Sequence, residues 1–289
     1  MNKKNKLTLV FIVIIVILVG IWFIFFFGNN DANCKTKDPN KHILIDISRS
    51  YTESSEISDF INYLECEGWN VYVLENPEIS LKECLNEKKP NVTIIYNPWY
   101  VEFSEEDENA LFEFIDNGGG FLYLKPRCFS PERERCLDLS RIGYHGEYES
   151  SVKSVPEYNV SLIGQSVKAD SINEITEFSD PELFKNVEKL PNLGRPLNIT
   201  EPLIGVAWSK NNTIISDTAE CDCNDPYSDC YCTIKKTTIW GTFPYIAKAE
   251  YGNGTIIITS GTEEYIGNYS FGNKNIKNFL MNALELIFE

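Results

Sequence analysis

The stretch FSEEDENALFEFIDNGGGFLYL, residues 103–124, decides the fold class. Ser104 stands where a helix N-cap is needed, and Glu105, Glu106 and Asp107 complement the positive end of the helix dipole. Ala110, Leu111, Phe114 and Ile115 recur at the spacing of one helical face, and Gly118 supplies the left-handed residue that ends a helix. GFLYL then reads as a short buried strand. A helix running directly into a fully apolar strand is the repeating unit of a parallel sheet covered on both faces.

The same alternation extends upstream. HILIDIS (42–48) is an apolar run closed by turn residues. Behind it, Ile57, Phe60, Ile61 and Leu64 lie on one helical face, with Gly68 at the exit. WNVYVLE, a short helix capped by Ser80, and VTIIYNP complete the pattern. Downstream, PLIGVAWS and TIIS read as strands and DPELFKNV as a short helix, while SVKADSINEITEF fits strand or loop. PYIAKAEYGNGTIIITSG forms two strands around a tight Gly252-Asn253-Gly254 turn. The chain closes on a helix whose buried stripe is Ile276, Phe279, Leu280, Ala283, Leu284 and Ile287. No internal repeat or low-complexity tract appears.

The N-terminus follows a different logic. After Lys3, Lys4 and Lys6, residues 7–27 (LTLVFIVIIVILVGIWFIFFF) carry no charge, and as a helix they span about 31 Å, the thickness of a bilayer core. The run is longer than a cleaved signal and ends in bulky aromatic residues suited to a membrane interface. With basic residues only on its N-terminal side, residues 1–6 are expected in the cytoplasm. Residues 7–27 are then a signal anchor, 28–41 a stalk and 42–289 an extracytoplasmic α/β domain. This places the chain at the cell membrane as a single-pass protein.

The formal net charge is −16, and without the three leading lysines 23 basic side chains face 42 acidic ones. Such a surface repels nucleic acid and anionic lipid headgroups, which argues against both as its partners. The lipid bilayer, through residues 7–27, and a protein or carbohydrate outside the cell are the expected partners. No cofactor is expected. Six N-x-S/T sequons begin at Asn91, Asn159, Asn198, Asn211, Asn253 and Asn268, as an exported, glycosylated chain would allow.

Four of the nine cysteines crowd into CDCNDPYSDCYC, residues 221–232. Cys221 and Cys232, and Cys223 and Cys230, are symmetric about one midpoint. A hairpin over NDPYSD, within an insertion at 217–238, would therefore oppose them in pairs at disulfide distance. Four sulfurs on one flat face make a poor tetrahedron, which disfavours a zinc site on Cys221, Cys223, Cys230 and Cys232. A metal or thiol-redox centre on these residues is the alternative. Cys34, on the stalk, is the expected odd cysteine, free or bridging two copies.

Several of these stretches together (LIDIS, YNP, residues 103–124, and AEYGNGTIIITSG with FLMNALELI) resemble class I glutamine amidotransferase-like domains, in their non-catalytic, membrane-anchored branch. The resemblance covers most of 42–126 and 240–288. It implies a flavodoxin-like or Rossmann-like, mainly parallel sheet with helices on both faces. Active members carry a nucleophilic cysteine in a G-x-C-x-G turn and a distant H-x-E pair. Here Cys128 is flanked by Arg127 and Phe129, with Pro126 two residues before it, and His145-Gly146-Glu147 follows only 17 residues later. Cys128, His145 and Glu147 are the candidates for a hydrolase. The alternative for Cys128 is a staple to Cys136. At the strand ends, where open α/β sheets bind ligands, Asp46, Arg49, Tyr51 and Glu263 are the candidate ligand contacts. The expected function is a non-enzymatic binding or assembly module, with an extracytoplasmic hydrolase and a metal or thiol-redox protein as alternatives.

Overall fold

The computed structural model describes residues 34–96, 98, 103–124, 137–147, 154–155, 160–161, 165–169, 174–191, 196–208, 212–222, 231–240, 243–260 and 265–288. The expected membrane span lies outside them; among the described residues no helix is long and apolar enough to cross a bilayer.

An eight-stranded sheet organises the chain. Its strands are β1 (His42–Asp46), β2 (Asn70–Leu74), β3 (Val92–Tyr96), β4 (Gly120–Leu124), β5 (Glu177–Phe178), β6 (Ile204–Trp208), β7 (Pro244–Tyr251) and β8 (Gly254–Thr259). The order across the sheet is β2-β1-β3-β4-β8-β7-β6-β5. The first five strands are mutually parallel and the last three antiparallel. Taken alone, the parallel five have the 2-1-3-4-5 order of flavodoxin-like sheets.

The helices are α1 (Ser58–Cys66), α2 (Leu81–Lys88), α3 (Glu105–Asp116), α4 (Asn268–Phe271) and α5 (Lys274–Phe288). Because successive strand residues point to opposite faces, each buried strand serves two cores. Ile43, Ile45, Ile94, Leu122 and Ile257 pack with Phe60 and Leu64 of α1 and with Phe279, Leu280 and Leu284 of α5. Leu44, Ile95, Phe121, Tyr123 and Ile258 pack with Leu81 and Leu85 of α2 and with Leu111 and Ile115 of α3. The sheet is thus covered on both sides, as its unbroken apolar strands require.

Local signals locate the helix ends. Ser80 Oγ accepts from Glu83 N and Ser104 Oγ from Asp107 N. Gly118 has φ +98°, and a Cβ on Gly120 would fall 2.3 Å from the Ile287 carbonyl oxygen, so α5 closes onto β4 only over glycine. All six residues of the expected terminal stripe are buried. In α3 the buried face is Asp107, Leu111, Phe112 and Ile115, whereas Ala110 and Phe114 are half-buried. Ala110 and Phe114 still pack against the same core as Leu111 and Ile115, and Asp107, which pairs with Arg49, is buried beside them.

DPELFKNV is not helical: residues 181–186 form turns. The Asp180 carboxylate accepts from Glu182 N and Leu183 N, and Asn186 sits at φ +60°, so side-chain bonding replaces a helical ladder. Residues 212–222 and 231–240 pair antiparallel, and Gln165–Ala169 joins them in a separate three-stranded sheet. Its ladder places Cys221 opposite Cys232. Cys223 and Cys230 lie outside the described residues.

Residues 34–41, read as stalk in the sequence, lie along the N-terminal edge of the parallel sheet. Cys34 is bonded to Cys66 at the end of α1, which corrects its reading as the odd cysteine. Lys35 N donates to Cys66 O and Asp38 N to Gly68 O, both at 2.8 Å. Cys34 escaped the sequence reading because the pair is 32 residues apart and belongs to no motif. The free cysteine among the described residues is Cys84, buried in α2, where burial pushes its thiol up and keeps it protonated at neutral pH. Non-reducing digestion with mass spectrometry is expected to yield a linked peptide pair containing Cys34 and Cys66, with Cys84 alkylated only after unfolding. Cys34→Ser should lower stability by about 4 kcal/mol, the denatured-state entropy of a loop of about 32 residues; a denaturant titration of the full chain in detergent measures it.

Candidate functional site

The C-terminal end of β1 carries three of the ligand candidates that the sequence singles out, Asp46, Arg49 and Tyr51. β1 ends at Asp46 because Ser48, Arg49 and Ser50 turn the chain there. Asp46 does not face solvent: its residue is 1% exposed and Arg49 is 5% exposed. Ser48 N and Ser48 Oγ donate to Asp46 Oδ1 at 2.9 and 2.6 Å, and Arg49 Nη1 donates to Asp46 Oδ2 at 3.1 Å. Arg49 Nη2 reaches across to Asp107 Oδ2, also at 3.1 Å. Asp107 Oδ1 in turn accepts from Lys82 N at the start of α2. The guanidinium lies 4.1 Å from the centre of the Phe103 ring.

A single buried cation therefore joins two carboxylates from β1 and α3 and, through Asp107, the backbone of α2. Burial pushes the Asp46 carboxyl up from its ordinary value, while Arg49 and the Ser48 hydrogen bonds draw it back. Asp46 and Arg49 use polar atoms on each other, on Ser48 and on Asp107. Asp107, the third member, was read only as a dipole complement. Its partner lies 58 residues away, and no local spacing announces it.

The residues that follow Arg49 in the chain enclose, with Ile47 and Glu75, an open groove of about 480 Å³ lined by Ile47, Ser50, Tyr51, Thr52, Glu53, Ser54, Ser55 and Glu75. Ile47 is buried, and its N–H bonds Leu74 O, which ties the groove to β2. Ser50 Oγ donates to Thr52 Oγ1 and accepts from Thr52 N. Glu75 accepts from Ser54 N at 2.8 Å, and bonds from Ser54 hold its carboxyl below the ordinary value. Tyr51 is 64% exposed at the rim. Hydroxyls and carboxylates beside an accessible aromatic ring can exchange many weak hydrogen bonds with a polar ligand and stack on its apolar face.

His145 is exposed on the strand Tyr144–Glu147, which pairs with Leu197–Ile199, and its Nε2 lies 3.0 Å from Thr200 Oγ1. Cys128, Cys136 and Glu263 lie outside the described residues, as do Asn159 and Asn211. Three of the sequon asparagines have structural duties. Asn91 Oδ1 accepts from His42 N, Asn253 Nδ2 donates to Asp116 O, and Asn268 bonds Asp59 N and Ser55 O to cap the start of α1. Asn198 sits half-buried within the strand Leu197–Ile199. Among the described residues no three His, Cys, Asp or Glu side chains gather to hold a metal ion.

Removing the shared cation is expected to be costly, because two buried carboxylates would remain uncompensated. Arg49→Leu should lower stability by about 3–5 kcal/mol, whereas Tyr51→Ala should stay within about 0.5 kcal/mol. Tryptophan fluorescence against denaturant, on the full chain in detergent, separates the two. Equal effects would mean that Arg49 is not the brace described.

No protein-family model matches the chain, and no curated protein matches it. Among solved structures it is similar to a ThuA-like protein from Parabacteroides merdae, at 13% identity and a TM-score of 0.49, covering 87% of this chain and 90% of that one. A cytoplasmic protein from Salmonella typhimurium is 12% identical with a TM-score of 0.46, covering 86% and 98%. A cold-adapted β-galactosidase from Rahnella sp. R3 is 12% identical with a TM-score of 0.40, the likeness covering 86% of this chain and 31% of the enzyme. At these identities and scores, none of the three bears on what this chain does.

Proposed function

We propose that the chain is a membrane-anchored, extracytoplasmic binding module without an enzymatic role, of the non-catalytic branch of class I glutamine amidotransferase-like proteins. The observation that carries this reading is the division of labour at the strand ends. Asp46, Arg49 and Asp107 are consumed in a buried brace, and what faces outward is an open groove of hydroxyls, the carboxylates of Glu53 and Glu75, and Tyr51. Such a lining supports adhesion of a polyhydroxylated ligand, a carbohydrate, better than bond cleavage. The anchor reading is supported by the uncharged run at 7–27 behind three lysines. A disulfide between Cys34 and Cys66 fits an oxidising compartment.

A protein partner is favoured separately by the paired strands 212–222 and 231–240, about 35 Å long at their full extent. Their register supports a Cys221–Cys232 bridge. A ribbon of that length, stapled near its turn, would serve as a stiff contact arm.

The full chain in nanodiscs is the material for the test. Binding to purified cell-surface polysaccharides, read by interferometry, should weaken about tenfold in Tyr51→Ala with Thr52→Ala, the loss of about 1.4 kcal/mol. Deleting residues 217–238 should leave that binding unchanged and abolish protein cross-links. Polysaccharide binding that ignores the groove variants would end the carbohydrate reading, and cross-links that survive the deletion would end the arm.

A further inference from the structure

We infer that the N-terminal edge of the parallel sheet is the face this protein turns toward the lipid surface, held there by the Cys34–Cys66 latch, so that the Tyr51 groove opens away from the membrane. The inference rests on the anchor proposed at residues 7–27.

The parallel strands β1, β2, β3, β4 and β8 all begin at one edge, and that edge is tied across its width. Asn70 N donates to Lys41 O, Asn91 N to His42 O, and Gly120 N to Asn91 O. The segment that leads to the anchor is fastened at the same edge. Cys34 is bonded to Cys66, Lys37 pairs with Glu65 at 2.8 Å, and a Cβ on Gly68 would lie 3.0 Å from Thr36 O. The groove sits at the opposite ends of β1 and β2, next to Ile47 and Glu75.

Only six residues, 28–33, separate the apolar run from Cys34. Fully extended, the seven steps from Phe27 to Cys34 reach at most about 25 Å. A domain of about 250 residues has a radius of gyration near 18 Å and is therefore about 45 Å across. Turning the latch to the far side would need nearly twice the available chain. Without the disulfide, residues 34–41 could peel away and add about 28 Å of reach, enough to free the orientation. The latch is thus what converts a tether into a footing.

Charge acts in the same direction. In a chain of net charge −16, Lys35, Lys37 and Lys88 pair with Glu67, Glu65 and Glu87 and neutralise those carboxylates at this edge. Neutralised pairs of this kind lower the repulsion between this edge and anionic headgroups.

The test uses the full chain in vesicles containing anionic lipid and a singly charged, sulfonated amine-acylating reagent, read by mass spectrometry. A surface potential near −30 mV depletes such an anion about threefold, within a Debye length of the membrane. Exposed Lys37 and Lys89 should label up to about threefold more slowly, relative to exposed Lys82 and Lys274 at the other edge. Inserting 24 Gly/Ser residues between Asn33 and Cys34, with the disulfide intact, should remove the difference. Even labelling in a chain that floats with the vesicles, or slower labelling of Lys82 and Lys274, overturns the orientation while leaving the anchor. Protection that survives the insertion overturns the latch as its cause. Extraction of the chain by alkaline carbonate overturns the anchor, and the inference with it.

Discussion

Arg49 is the residue on which the rest of the site depends. Its guanidinium bonds Asp46 at the end of β1 and Asp107 in the first turn of α3, in surroundings where an unpaired charge would cost several kcal/mol. Asp107 also holds the first turn of α2 through Lys82 N. One cation thus sets the spacing of a strand and two helices where a sheet of this order has its topological switch point. A hydrophobic contact could not do this, because it has no preferred direction, whereas the planar guanidinium offers its two ends to two carboxylates at defined angles.

The brace explains why the loop behind it can be open. Ile47 anchors the groove from below and Ser48 caps Asp46, so residues 50–55 present side chains to solvent on a rigid support. Binding surfaces in α/β sheets are commonly built this way, with mobile or variable loops on a fixed strand end. The opposite edge is built differently, from backbone bonds between neighbouring strand starts and a disulfide. One edge is therefore arranged for contact and the other for support.

Much of the scaffold was legible from local pattern. The apolar strands, the Ser80 and Ser104 caps, the turn at Gly252 and the α5 stripe were all read at the right residues, because each depends on sterics or bonding within a few positions. The errors share a cause. DPELFKNV has the spacing of a helix, yet Asp180 and Asn186 bond and bend the chain locally, which periodicity does not register. In α3 the expected stripe meets the core, but Asp107 was read only as a dipole complement, and only its remote partner reveals it as buried. Asp46 and Arg49 were singled out as ligand contacts at a strand end, and three residues of separation reveal their proximity but not that Asp107 completes the set.

Taken by itself, the sequence determined the α/β class, the sheet's helical cover, the acidic surface and the expectation of an N-terminal anchor, all of which follow from composition and short-range periodicity. Only the tertiary structure decided that Cys34 belongs to Cys66, that Asp107 completes a buried ion network, and that the amides of Asn91, Asn253 and Asn268 hold the fold. The physical reason is the same in each case. A charge, a thiol or an amide can bond any complementary group within reach, and reach is set by the path of the whole chain, which no local spacing encodes.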